Sequence, residues 1–242
     1  MPMLVGGSNA ELHDLLLAVA EQLKVPLTVI ARQAELSLLR AEPDLANASQ
    51  MHTQAAAALQ LVDSYLLGLQ LMREQTELQL EPVSVSSMLV DAAHTLERFA
   101  RQYGVGVELH IAGRYEPVMA NGRGLRAALA SLGFALAESI GAQQQSGPRV
   151  LTLAVHRTAH GVTAGMYGCA RGELTAEQWR RALGLSGRAS QPLAGVSSGS
   201  GAGFFVADTI LRSMQTRLKV GHYERQAGLA ATFLPSHQLQ FV

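Results

Sequence analysis

Apolar residues recur along the first part of the chain at alternating steps of three and four: Leu12, Leu16, Val19, Leu23, Leu27, Ile30 and Ala34. This spacing lays one stripe along one face and predicts an amphipathic helix suited to helix–helix packing. Ser8 followed by Glu11 has capping-box spacing and opens it. Pro26 lacks an amide hydrogen and crowds the carbonyl one turn earlier, so it kinks the helix without ending it. A connection falls around Glu42-Pro-Asp-Leu-Ala-Asn47. A second helix follows, with Met51, Ala55, Ala58, Val62, Leu66, Leu69 and Met72 as its seam and an end near Arg73. Two such helices cannot bury both stripes in a single hairpin. Doubling the hairpin into a four-helix bundle solves the problem and predicts a homodimer.

The pattern changes after Glu81-Pro82, which places a domain boundary near residue 78: a helical hairpin over 8–78, then a second domain over 79–242. Pro82-Val-Ser-Val85 reads as a short strand, and Ser86 or Ser87 caps a helix through about Gln102, with Leu89, Ala92, Ala93, Leu96 and Phe99 inside. Val105 to Ile111 alternates as a strand, and Pro117-Val-Met-Ala120 is a shorter one. Asn121 caps a helix running to about Ile140. Strands are predicted over Arg149 to His156 and Gly161 to Met166, joined by a polar turn. From Gly168 to Ser200 strand signals are scarce and Gly and Ser are frequent, with one helical stretch around Ala176 to Leu183; such a length reads as a functional loop or lid. A helix over Gly201 to Met214 and strands over Arg217 to Gly221 and Leu229 to Leu234 finish the chain. The predicted class is α+β, one sheet faced on one side by helices.

Composition narrows the function classes. At 48% hydrophobic and 16% charged residues, broad disorder is excluded. Net charge is zero with no basic block, so nucleic-acid binding lacks its electrostatic driving force. The single cysteine, Cys169, excludes an internal disulfide and a cysteine-rich metal site, and suits a reducing cytoplasm. No basic region followed by an apolar run marks a secretory signal at the N-terminus. No segment approaches the roughly 18 uninterrupted apolar residues of a membrane span.

Three runs carry a resemblance to a known family. Gln22-Leu-Lys-Val-Pro-Leu-Thr-Val-Ile30 parallels the H-box of sensor histidine kinases, and Leu125-Arg-Ala-Ala-Leu-Ala-Ser-Leu-Gly-Phe-Ala-Leu136 parallels their N-box helix. Gly199-Ser-Gly-Ala-Gly-Phe-Phe-Val-Ala207 resembles their second glycine box. In that order, and with fitting element spacing, the chain from about residue 10 resembles a histidine kinase core. The resemblance implies a dimerisation hairpin followed by an α/β-sandwich of the Bergerat (GHKL) ATPase type.

The chemistry of that family needs residues this chain lacks. The phosphoacceptor is an imidazole nitrogen on the first hairpin helix. Here the parallel run is Glu21-Gln-Leu-Lys-Val-Pro26, so Glu21 stands where the histidine would be and cannot form a phosphohistidine. His13 and His52 are the nearest alternatives, each with a plainer reading as a solvated helix residue. The family's adenine-binding Asp would fall within Val162-Thr-Ala-Gly-Met-Tyr-Gly-Cys-Ala-Arg-Gly172, which contains no acid. A buried amine without its acceptor costs about 1–3 kcal/mol. In the family an N-box Asn holds Mg²⁺; here Ser131 and Ala135 occupy the two positions where polar ligands are expected, no Asn occurs from Gly122 to Ile140, and Glu138 is expected on a solvated face. Gly199, Gly201 and Gly203 precede a helix and retain backbone donors for an anion.

The resemblance therefore implies a histidine-kinase-like pseudokinase: a dimeric two-component signalling or scaffold protein without catalytic or metal-binding residues. It implies docking of a response-regulator receiver domain on the hairpin around Glu21, Lys24 and Val25. No cofactor is expected beyond residual ATP or ADP binding at the three glycines. Two alternatives remain open from sequence. One is a divergent ATP-binding histidine kinase or histidine phosphotransferase using His13 or His52. The other is a small-ligand sensor using the degenerate nucleotide pocket.

Overall fold

The computed structural model describes residues 27–30, 32–37, 45–74, 78–142, 148–170 and 200–236. Residues 27–30 and 32–37 are helical, so the helix expected across Pro26 is present beyond it. A long helix, α1 (Leu45–Glu74), follows. Then come β1 (Glu81–Val83), α2 (Val85–Ala100) with a 3₁₀ turn over Arg101–Tyr103, β2 (Gly106–Ile111), β3 (Val118–Ala120) and α3 (Gly122–Ala142). The chain ends with β4 (Val150–Thr158), β5 (Gly161–Ala170), α4 (Ser200–Arg212), β6 (Lys219–Tyr223) and β7 (Gln226–Phe233).

Strands β2, β4, β5, β7 and β6 form a five-stranded mixed sheet in that order. β2 runs parallel to β4, as its crossover through α3 requires, and the remaining pairs are antiparallel. β1 and β3 make a separate antiparallel ladder. It is tied to the end of β7 by Met119 N donating to Leu234 O at 3.0 Å and Ser236 N to Pro117 O at 2.7 Å. Leu151, Leu153 and Val155 of β4, Met166 of β5 and Leu229 of β7 all point into the core beneath the helices. The α+β expectation, a sheet faced on one side by helices, is met.

Two local expectations need correcting. The cap of α2 is Ser84, whose hydroxyl accepts from Ser87 N at 3.3 Å, rather than Ser86 or Ser87. β1 ends at Val83 where its pairing with β3 stops, so the next serine is the one free to cap. The seam of α1 is also rotated. Ala57, Ala58, Leu61, Tyr65 and Leu71 are buried, whereas Leu66 of the expected seam is 52% exposed. Apolar residues run round much of this helix, and the face chosen by the rest of the chain is the one that meets α3 and α4. Leu59 joins Leu66 on the uncovered face at 66% exposure.

α3 lies at the centre of this arrangement. It contacts α1, α2 and α4 as well as β4 and β5. Among the described residues it is the one helix long and apolar enough to cross a membrane, yet 72% of its apolar window is buried inside the protein. It reads as a core helix.

Candidate functional site

Glu21, Lys24, Val25, His13 and Gly199 lie outside the described residues. His52 stands exposed on α1. The remaining predicted site residues converge around α3, β5 and α4.

The start of α3 is fixed as expected. Asn121 Oδ1 accepts from Gly124 N at 2.8 Å, and its Nδ2 donates to Gln79 O at 3.0 Å, fastening the segment that leaves α1. Further along, Ser131 and Ala135 both have 0% exposure. The Ser131 hydroxyl has no hydrogen-bond partner among the described residues. A side chain that reaches a solvated metal would stand at a cleft wall; these two stand within packed protein. Glu138 differs from its expectation of a solvated face. It is half-buried, near enough to Tyr65 on α1 and to Tyr103 that its charge, after burial itself, helps push both phenols upward in pKa.

Gly201 and Gly203 lie in the first turn of α4 rather than ahead of it. The first amides of a helix have no intrahelical acceptor, so the two glycines still present donors, now along the helix axis. One acid on α4 was not singled out from sequence. Asp208 is 3% exposed; its carboxylate accepts from Leu218 N at 3.0 Å and pairs with Arg212 Nε at 2.7 Å. A signal was present: Asp208 falls on the apolar stripe with Phe204 and Leu211, where a charge must be paired to be tolerated.

The outer face of the sheet holds a second group that sequence reasoning missed. The row His110, Ala154, Gly165, Ala230 and Lys219 crosses all five strands, and small residues dominate it. Tyr167 lies over it with 0% exposure. A Cβ on Gly165 would stand 2.6 Å from the Tyr167 Cζ, so only glycine leaves room for the ring. Tyr223 covers Tyr167 at a centroid distance of 5.5 Å and also contacts His156 at 6.1 Å and His110 at 5.7 Å. β2 and β6 are opposite edges of the sheet, so contact between His110 and Tyr223 means the sheet curls around the Tyr167 ring. The register shift between Tyr167 and Cys169 supplies a bend in β5. His110 also has Glu108 at 3.6 Å and Glu224 at 3.8 Å. Burial, then the neighbouring Tyr223, pushes the Tyr167 phenol up to about 12. Burial holds His156 below the usual imidazole range, with its Nδ1 unpartnered among the described residues. The described part of the acid-free run, 162–170, thus contributes an aromatic centre.

No protein-family model and no curated protein sequence matches the chain. Solved structures do. The chain is similar to the Acinetobacter baumannii histidine kinase AdeS at 15% identity and a TM-score of 0.48, over 89% of this chain and 98% of that one. It is similar to the catalytic domain of the histidine kinase ThkA at 11% identity and a TM-score of 0.49, over 65% and 96%. A bacterial phosphotransferase gives 9% identity and a TM-score of 0.46 over 96% and 99%. At identities of 9–15% and TM-scores below 0.5, these likenesses assign no role to the chain.

Proposed function

We propose that this chain is a histidine-kinase-like signalling protein that does not carry out ATP-driven phosphotransfer and works as a dimeric docking platform. The observation that carries the first part is the burial of Ser131 and Ala135, both at 0% exposure on the helix face where the family holds Mg²⁺. The acid-free run Val162 to Gly172 and Glu21 in place of the phosphoacceptor support the same reading. Phosphoryl transfer depends on metal-bridged charge neutralisation, so without the metal position the reaction loses its main electrostatic support. Calorimetric titration with ATP, with and without Mg²⁺, tests this. Binding independent of Mg²⁺, or none, is expected; tight Mg²⁺-dependent binding would refute it.

For the platform, support comes from the uncovered apolar residues. Leu27, Leu36, Leu59 and Leu66 are 55%, 44%, 66% and 52% exposed, all within the hairpin. A second hairpin is the occupant that buries them symmetrically. Leu59→Glu with Leu66→Glu is expected to give a folded monomer by analytical ultracentrifugation; an unchanged dimer would place the interface elsewhere. A receiver domain is the partner we assign to the surface around Glu21, Lys24 and Val25, in the cytoplasm that the cysteine usage suits. Glu21→Arg tests the docking surface, and an unchanged receiver affinity removes Glu21 from it.

One observation favours a second reading. His52 is an exposed imidazole on α1, open to a phosphorylated partner. Acid-labile phosphate acquired from a phosphorylated receiver and lost in His52→Ala, or in His13→Ala, would make the protein a phosphotransferase.

A further inference from the structure

At the far end of α4 from the glycines, an open groove of about 460 Å³ has His160, Arg212, Arg217 and Lys219 around it. None of the described residues that line it is acidic. The Asp208 carboxylate is buried behind Arg212, accepting from Leu218 N at 3.0 Å and pairing with Arg212 Nε at 2.7 Å. That pairing holds the Arg212 guanidinium at the groove while leaving its other nitrogens as donors. Arg217 and Lys219 are exposed and carry no side-chain hydrogen bond or ion pair among the described residues. With Arg212 already paired to Asp208, Arg217 and Lys219 remain as two unpaired cations on this concavity, a local excess that draws a counter-charge.

The carbonyl end of α4 does not cancel this field. Its terminal carbonyls are occupied by the following turn, with Gln215 N donating to Arg212 O at 3.0 Å and Thr216 N to Leu211 O at 3.1 Å. Neutral polar groups complete the wall: Thr216 Oγ1 donates to Thr232 O at 2.8 Å, and Thr232 Oγ1 shares a 2.9 Å hydrogen bond with Thr163. At the rim, Leu234 is 69% exposed and offers an apolar contact.

We infer that this groove is a binding site for a small organic phosphate. Two guanidinium forks match phosphate oxygens in a bidentate manner, and the Lys219 ammonium adds a point charge. The volume falls in the small-ligand range of about 300–1,000 Å³. Leu234 faces the organic part of the molecule. The site is separate from the glycine turn at the start of α4, which lies about 20 Å away along a 13-residue helix rising about 1.5 Å per residue. It stands whether or not the nucleotide region binds anything.

The test is titration of the full chain at low ionic strength with phenyl phosphate, inorganic phosphate and a polyglutamate peptide, followed by NMR shifts or calorimetry. Phenyl phosphate is expected to bind more tightly than inorganic phosphate. Arg217→Gln and Lys219→Gln, both at exposed positions, are each expected to weaken it about tenfold. Arg157→Gln, at an exposed arginine paired with Glu116 at 3.3 Å, is expected to leave binding unchanged. Loss of phosphate binding in Gly203→Pro with retention in Arg217→Gln would move the site to the start of α4 and overturn the assignment. So would absence of phenyl phosphate binding, or binding of the acidic peptide alone, which would make the groove a protein-docking surface.

Discussion

Docking of α1 onto α4 joins the long N-terminal helix to the rest of the fold, and Gly68 measures it. A Cβ added at Gly68 would stand 3.1 Å from Val206 Cγ1 and 3.5 Å from Cγ2. Val206 is 1% exposed, so its methyls cannot swing into solvent and must give by a few tenths of an ångström. Two effects oppose each other in Gly68→Ala. Alanine gains about 1 kcal/mol over glycine in a helix interior. Overpacking costs about 1–3 kcal/mol, and the small displacement needed here puts it near the bottom of that range. The single variant is therefore expected to be close to neutral. In a Val206→Ala background the obstruction is gone, and Gly68→Ala should stabilise by about 1 kcal/mol, or about 2–4 °C in Tm for a chain of this size. Chemical denaturation of the four proteins gives the coupling energy directly. A value of about 1 kcal/mol stands clear of the roughly 0.3–0.5 kcal/mol scatter of such cycles. Equal stabilisation by Gly68→Ala in both backgrounds would mean that α1 does not rest on α4, and the reasoning would fail.

Three further outcomes follow from the described contacts. Asp208→Ala leaves the buried Leu218 amide without its acceptor and should cost about 1–3 kcal/mol in urea, with Asp208→Asn losing less because an amide oxygen still accepts. Tyr65→Phe removes a hydroxyl that is buried without a partner among the described residues, so it should be neutral or stabilise by up to about 1 kcal/mol; a clear loss would reveal a partner. For pH, His156 is held below its ordinary value near 6.5 in the folded state. Above that value both states are neutral. As pH falls from there, the unfolded chain takes up a proton that the folded one refuses, so stability declines until the folded value is reached and then levels. His156→Gln should flatten that part of the Tm-against-pH curve relative to the parent; identical curves would exclude the residue as a contributor.

Much of the chain after residue 78 was legible from local pattern because local pattern determines it. Asn121 before an apolar helix is a cap wherever the helix packs, and alternation marks β4 and β5 at any position in a sheet. Strand lengths were less legible: β4 and β5 run to Thr158 and Ala170, beyond their expected ends, because pairing with a long neighbour carries polar and glycine residues along. Periodicity alone could not choose between the two apolar faces of α1, since one meets its own chain and the other does not. The cover of the outer sheet face was invisible for a different reason. Tyr167 and Tyr223 are distant in sequence, and Gly165, two residues from Tyr167 on the same strand, looks like any other strand glycine until the ring is seen to fold back over it. The residue types at the proposed nucleotide region, by contrast, could be read directly, and the structure adds that Ser131 and Ala135 are both buried.

The enclosure of α3 bears on how the molecule can be taken apart. α1 on one side and the sheet on the other are both packed against this helix. A fragment beginning at residue 79 would lose one of those walls and turn a core helix into an apolar surface of the kind that draws chains together. Amides of α3 are expected to exchange with solvent only when the whole molecule opens, so hairpin and sheet share one unfolding event. A partner seated on the hairpin would then be felt in the sheet as a gain in stability, with no part having to move.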